Sequence, residues 1–533
     1  MIPSSPSRPR SARRVRAPIP ATTILLAAAS MTTALSGCMV GPNYHRPAAI
    51  TSQRFKEQPP PPGWQYAQPT LAEAPKGPWW EVFNDPQLDQ LEQQVAISNQ
   101  NVKYYEAAYR YAASMVDSVR AQLYPTVTGT FGFTRNSYGA SSRANGGTTG
   151  FTTKTITNTW QTYPEASWSP DIWGKVRRQI QQQVTATQAS AAELAAMTLS
   201  YQSTLAQDYF SLRYEDSLIT LLDRNVNYYQ QAYKIVSNQV TAGTADPTTA
   251  LQARYQLEST RAQATQARAA RAQWEHAIAV LVGKTPADLN IPAGALPDRL
   301  PAPPSAIPAV MLQRRPDIAE QERNMESANA EIGIDIAAFY PTPTLTAEYG
   351  YQGNPLTQLI QAGTQFWSLA ASSSETIFNG GARTAAVRSA YAQYDEAVAT
   401  YRQTVLTAFQ DTENDLSNLR IYTQQLDQEN TAVGAANEAV RVSMNGYLAG
   451  IDIYTTVITA QQNALTYEQD ALAIREQLAI NSVTLVTDLG GGWDPASLPT
   501  KNSLQTDQPL LPGFIQHDKQ GARPASVERE NGN

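Results

Sequence analysis

Few side chains in this 533-residue chain could carry covalent or metal chemistry, and that scarcity narrows the function. There is one cysteine, Cys38, and there are three histidines, His45, His276 and His517. No disulfide can form within the chain, and a Cys/His metal cluster needs repeated ligands that the sequence does not supply. No Ser-His-Asp triad can be assembled: His45 lies in an N-terminal lead and His276 inside a helical pattern, where it reads as an interhelical residue. The carboxylates Asp208, Glu215, Asp411 and Glu413 are spread along helical faces rather than paired as catalytic acids. The expectation is a protein that is not an enzyme and holds no metal or cofactor.

Cys38 is where covalent chemistry can occur. Arg8, Arg10, Arg13, Arg14 and Arg16 form a basic segment, and Ile24-Leu25-Leu26-Ala27-Ala28-Ala29 opens an apolar one. The apolar run is too short for a spanning helix, which takes about 20 residues, and reads as a signal peptide over 1–37. It ends in Leu35-Ser36-Gly37-Cys38, which resembles a bacterial lipobox; that resemblance implies cleavage between Gly37 and Cys38 and lipid on the cysteine. Residue 39 is Met rather than Asp, so the usual signal for inner-membrane retention is missing. An ordinary signal peptide with a chance cysteine is the alternative.

The elements that must position anything else are two long runs, Lys175–Ala242 and Ala382–Asn445. The first has no Gly or Pro, and the second only Gly434. At ~1.5 Å per residue each predicts a helix of about 100 Å, longer than a globular domain can house. Asp85, with Pro86 at the first helical position, opens an earlier helical pattern through Leu88, Leu91, Val95, Asn99 and Val102 to Leu123. From Thr126 the period becomes two: Val127, Gly129, Phe131 and Phe133 alternate with threonines and Gly132, as in a strand. A Ser/Gly/Asn-rich loop separates this strand (126–136) from a partner at 152–168.

The programme then repeats. Pro-rich 283–311 links a first repeat, 86–282, to a second, 312–493, with strands at 343–352 and 365–378. Leu123-Tyr124-Pro125-Thr126 matches Phe339-Tyr340-Pro341-Thr342. Asp208/Asp415, Leu212/Leu419, Arg213/Arg420 and Gly243/Gly450 share one spacing. Residues 38–85 form a lead, and 494–533 read as a disordered tail. Charged residues are 16% of the chain, under the ~25% of soluble domains, and the net charge of −6 argues against nucleic-acid binding.

Four strands cannot close a barrel, and an open edge in hydrocarbon leaves backbone N–H and C=O groups unsatisfied. Several copies could close one; three would supply twelve strands, an even number as in bacterial outer-membrane barrels. Phe131, Phe133, Trp160, Trp168, Trp173, Phe366, Trp367 and Phe378 lie in or beside the strands and are expected at the membrane interfaces. A soluble sandwich would also accept aromatic strands.

The landmarks together resemble outer-membrane factors of the TolC type, in the lipoprotein branch associated with resistance–nodulation–division efflux pumps. The resemblance rests on Leu35 to Cys38, Val40-Gly41-Pro42-Asn43-Tyr44, Trp79-Trp80 with Phe83, Asp85-Pro86-Gln87-Leu88, Leu312 to Ile318, and the Ala-Gly turns at 242–243 and 449–450. It implies a mainly α fold with a membrane β part: a homotrimeric twelve-stranded β-barrel on a twelve-helix periplasmic α-barrel, with 283–311 in an equatorial region. It also implies an outer-membrane efflux channel that works with a periplasmic adaptor and an inner-membrane transporter and is anchored in outer-membrane lipid. The turns at Gly243 and Gly450 would form the closed periplasmic end, with Asp246, Tyr447, Asp452, Thr455 and Thr459 around it. Relatives commonly carry Asp where this chain has Thr459, and an apolar residue at Thr455. The gate is therefore expected to rest on hydrogen bonds and on Asp246 or Asp452, unless those two only cap helices. A periplasm-spanning coiled-coil lipoprotein, or a duct for type I secretion or metal efflux, remain the alternatives.

Overall fold

The structure is a computed structural model, and it describes residues 39–48, 55–56, 77–138, 155–297 and 314–504. Gly37 and Cys38, the signal segment, most of the lead, 152–154, 298–313 and the tail beyond 504 lie outside the described residues. The described residues fall into two compact units, one drawn from Met1–Pro42, Gln122–Gln179 and Ile332–Val387, the other from Asn43–Ala121, Ile180–Glu331 and Arg388–Asn533.

The first unit is built on one antiparallel sheet in the order β1-β2-β3-β4. Its strands are β1 Thr126–Tyr138, β2 Thr155–Trp168, β3 Thr342–Gly353 and β4 Gln365–Ser374. Two hairpins of the same register make it: Thr126 faces Ser167, and Thr342 faces Ser374. Trp168 faces Leu345 where the hairpins join. β1 and β4 are the two edges. The second hairpin is shorter than its sequence pattern suggests. β4 stops at Ser374, so Thr376-Ile377-Phe378 is a junction rather than strand.

The second unit is helical, and two helices cross into it from the first. These are α3 (Lys175–Thr241) and α6 (Ala382–Leu448), each 67 residues. α3 turns back as α4 (Pro247–Leu281), and α6 as α7 (Tyr454–Asp488). The shorter helices are α1 (Pro86–Ser98), α2 (Gln100–Arg120) and α5 (Pro316–Ala337). The expected single helix from Pro86 is broken at Asn99, whose φ of −62° and ψ of 124° leave the helical region. Asn99 fits the helical period, but its side chain competes with the backbone: Oδ1 accepts from the N–H groups of Asn101 and Val102. Its amide also donates to Leu281 O at 2.8 Å, tying the break to the end of α4.

The main core joins Trp79, Trp80, Leu88, Leu91 and Val95 to Leu205, Tyr209 and Phe210 of α3 and Ile278 of α4. A second centres on Met325, Tyr401, Val405 and Leu478. Part of the expected disordered tail is ordered: Asp494 caps a turn at Pro495–Ser497, Gln188 donates to Pro499 O at 2.9 Å, and Arg120 to Leu504 O at 3.1 Å. Polar composition hid this because the contacts are to backbone carbonyls, which any residue offers.

Candidate functional site

The registers sort the sheet's residues by face. Directly opposed residues share a face, so Phe133 groups with Trp160, and Val127 with Ala166, Ala347 and Leu369. Phe131, Trp168, Leu345, Tyr349 and Trp367 fall on that same face. The other carries Thr128, Glu165, Glu348 and Ser368, with Gln161 and Gln352 further along. The apolar face is exposed: Val127 by 70%, Phe131 by 65%, Trp367 by 74% and Leu369 by 75%. A soluble sheet does not present such a face to water, whereas a barrel strand presents it to lipid. From Trp160 to Trp168 the strand runs about 27 Å, close to the ~25 Å apolar band of outer-membrane barrels.

Two expected interface aromatics need correction. Phe366 neighbours Trp367, and a period of two puts it on the polar face, where it packs edge-on to Tyr163 at 5.7 Å. Phe378 is 88% exposed but beyond the strand. Trp173 is also beyond its strand, yet it is held: its indole donates to Pro341 O at 2.8 Å and stacks on Tyr340 at 4.7 Å.

Sequence reasoning missed the residue that holds the lead to this joint. Arg178, fully buried in α3, donates from Nε to Val40 O and from its terminal nitrogen to Gly41 O, both at 3.1 Å. Val40 N–H donates to Trp173 O, and Gly41 and Gly333 approach so closely that a side chain on Gly41 would meet the backbone of Gly333. An arginine inside a polar helical run gives no sequence signal until its carbonyl partners are known.

At the far ends of the long helices the two repeats make one turn twice. Gly243 N–H donates to Val240 O and Thr244 N–H to Gln239 O; Gly450 to Tyr447 O and Ile451 to Gly446 O. Both glycines sit at φ near +74° and +73°, the left-handed region that closes this C-cap. Asp246 caps α4, accepting from Thr248 N at 2.7 Å and Oγ1 at 2.5 Å, and these bonds hold its carboxyl below the usual range. Asp452 is not the cap of α7, whose N-cap is Ile453 and makes no side-chain bond; the Asp452 carboxylate instead fills the space beside Gly446.

Polar bonds cross between hairpins here. Tyr447 OH donates to Gln239 Oε1 at 2.5 Å and packs on Tyr454 at 5.1 Å. Between α7 and α4, Thr455 reaches Gln252, Gln462 reaches Gln256, and Gln469 reaches Gln263. Those α7 donors recur every seven residues, the repeat that keeps one helical seam facing its partner. Thr459 is exposed, and its hydroxyl donates to Thr455 O at 3.0 Å within its own helix.

Buried charge lies away from the tips. Asp216 accepts from Arg271 at 2.7 Å, Arg213 at 3.2 Å and Gly294 N at 3.0 Å. Arg213 also reaches Pro292 O, and Tyr209 OH reaches Asp85 at 2.6 Å. This network ties α1, α3, α4 and the strap at 286–297 together. In the second repeat, burial and the neighbouring Asp488 carboxyl push Asp415 up, and Arg315 donates to Asp488 at 3.1 Å. Glu92 is fully buried with no partner for either carboxylate oxygen. It falls on the buried side with Leu88 and Val95, a signal available in the sequence but overlooked because the residue is charged.

A sheet with one lipid-compatible face, open at both edges and fed by two helices of about 100 Å, defines the subunit of an outer-membrane channel. The toluene efflux pump outer membrane protein TtgC of Pseudomonas putida is 29% identical over 467 residues, covering 86% of this chain and 93% of that protein. The probable outer membrane lipoprotein SilC of Salmonella typhimurium is 26% identical over 464 residues, covering 86% and 96%. Among solved structures, the outer-membrane channel OprN matches with a TM-score of 0.77 at 24% identity, over 86% of this chain and 100% of that one, which speaks for the fold. The model of the outer membrane efflux protein family matches residues 87–284 and 307–491, and the chain belongs to that family. It is an outer-membrane channel component of an efflux system.

Proposed function

We propose that the channel is a homotrimer in which three four-stranded sheets close one twelve-stranded barrel and the long helices close a periplasmic duct. The observation that carries this is the sheet with an apolar, exposed face and two open edges: hydrocarbon leaves no water to satisfy those edges, and only closure does. Cys38 bears the lipid anchor, a reading supported by the lipoprotein name of SilC. A periplasmic adaptor and an energised inner-membrane transporter load the duct, and small toxic solutes are its cargo; TtgC is named for toluene efflux. The tips hold the closed end through the Tyr447–Gln239 bond and the α4–α7 polar seam, without an acidic ring at Thr459.

The test is twofold. Purified from outer membranes, the protein should have the native mass of three chains and conduct ions in planar bilayers. A deletion strain should become sensitive to small apolar toxicants and recover on complementation. A non-conducting monomer in mild detergent would overturn the reading.

A further inference from the structure

The two hairpins of the sheet meet at a joint whose parts occur a second time, without a partner. At the joint within the chain, Trp173 follows Ile172 five residues beyond the end of β2. It stacks on Tyr340 and bonds Pro341 O, just before β3. Nearby, Ser169 Oγ and Thr344 Oγ1 lie 3.2 Å apart. The outer edges carry parts of the same kind, with the Ile-aromatic pair two positions nearer its strand by the common register and Asn379-Gly380-Gly381 making up the difference before the long helix. Phe378 follows Ile377 four residues beyond the end of β4, and Tyr124-Pro125 precedes β1. With the hairpins aligned by their common register, Ser169 corresponds to Thr376 and Thr344 to Thr128, both again hydroxyl-bearing. Each junction is braced by an arginine of the long helix reaching back to an acid, Arg177 to Asp171 and Arg383 to Glu375.

The outer parts differ in being uncovered. Ile377 is 97% exposed, Phe378 88% and Tyr124 51%, against 38% for Tyr340. They flank opposite edge strands, β4 and β1, so no fold of one sheet brings them together. A second copy does, by pairing its β1 with this β4.

We propose that Ile377-Phe378 of each copy seats on Tyr124-Pro125 of the next, repeating between chains the joint that Trp173 makes with Tyr340-Pro341 within one. This rests on the oligomeric barrel proposed above and names the aromatic contact that sets the position of each copy against its neighbour. Aromatic faces suit the role because stacked rings have a preferred offset as well as buried area.

Because Cys38 is the chain's single cysteine, engineered thiols report cleanly. The double variant Tyr124→Cys/Phe378→Cys, treated in outer-membrane vesicles with a short bis-methanethiosulfonate linker, should give a ladder of covalent oligomers ending at the closed assembly. Each single variant should stay monomeric on a denaturing gel. In parallel, Phe378→Ala should lower the temperature at which the detergent-resistant oligomer dissociates, and Phe378→Trp should restore it. Native mass of the untreated double variant separates the two readings. An intact oligomer that forms no ladder overturns the joint alone, and a monomer overturns the joint together with the barrel.

Discussion

Arg178 donates from Nε to the carbonyl oxygen of Val40 at 3.1 Å, joining residues 138 apart in sequence. The same guanidinium holds Gly41 O, so one buried side chain fixes the segment that follows Cys38. Replacing it strands two carbonyls, at roughly 1–3 kcal/mol each. Arg178→Ala is expected to lower the melting midpoint of the purified protein and to expose a Val40→Cys thiol to maleimide. Arg178→Lys should fall between, since an ammonium cannot match the guanidinium fork. Unchanged labelling would show that the lead is held by other contacts.

Asp216 is the hub of the first repeat's charge network, its side chain 4% exposed. Asp216→Asn leaves Arg213 buried without a counter-charge and Arg271 with Glu275 alone, a change that typically costs about 3–5 kcal/mol. The strap at 286–297 should then be cleaved by protease faster than in the parent protein. A strap cut at the parent rate would mean that Pro292, Ile291 and Leu296 hold it without the carboxylate.

Glu92 makes stability depend on pH in the direction opposite to ordinary acid unfolding. Burial pushes its carboxyl from 4.5 up to about 9. Below pH 4.5 it is protonated whether the chain is folded or not. Between there and about pH 9 only the unfolded chain ionises, so stability falls as pH rises, by on the order of 3 kcal/mol at pH 7. Glu92→Gln should flatten the melting midpoint across pH 5 to 9 and raise it most at the alkaline end. Parallel pH profiles for the two proteins would refute this account.

Thr459 tests the tip. Thr459→Asp places a carboxylate where the hydroxyl now bonds back to Thr455 O. If this position lines the pore, symmetric copies of that charge focus the local field, and reversal potentials in a salt gradient should shift toward cation selectivity. An unshifted potential would remove Thr459 from the conduction path.

Much of the architecture was legible because it depends on omission. Where α3 has no Gly or Pro and α6 only Gly434 and Gly446, too little breaks the pattern to end a helix, and where Val127 to Phe133 alternate nothing but a strand suits the pattern. The two Ala-Gly turns were legible because a left-handed C-cap selects glycine. What escaped were features set by partners distant in sequence. Asn99 keeps the helical period yet ends the helix, because its amide finds Leu281 O. Phe366 looked equivalent to Trp367 until the register assigned them to opposite faces. Arg178 and Asp216 carry no mark of burial in the sequence, since their burial comes from elements far along the chain. At the tips, the sequence left open whether Asp246 and Asp452 serve the gate or only cap helices; Asp246 is the N-cap of α4, whereas the N-cap position of α7 falls to Ile453, one residue past Asp452.

The open-edged sheet also has a genetic consequence. In the closed homotrimer proposed above every copy contributes to two seams, so a copy that folds and pairs one edge but not the other spoils each ring that it enters. With normal and defective chains made in equal amounts, only about one ring in eight would be wholly normal. Edge and junction defects at Tyr124 or Phe378 should therefore behave as dominant mutations, whereas changes that stop the chain from folding should be recessive.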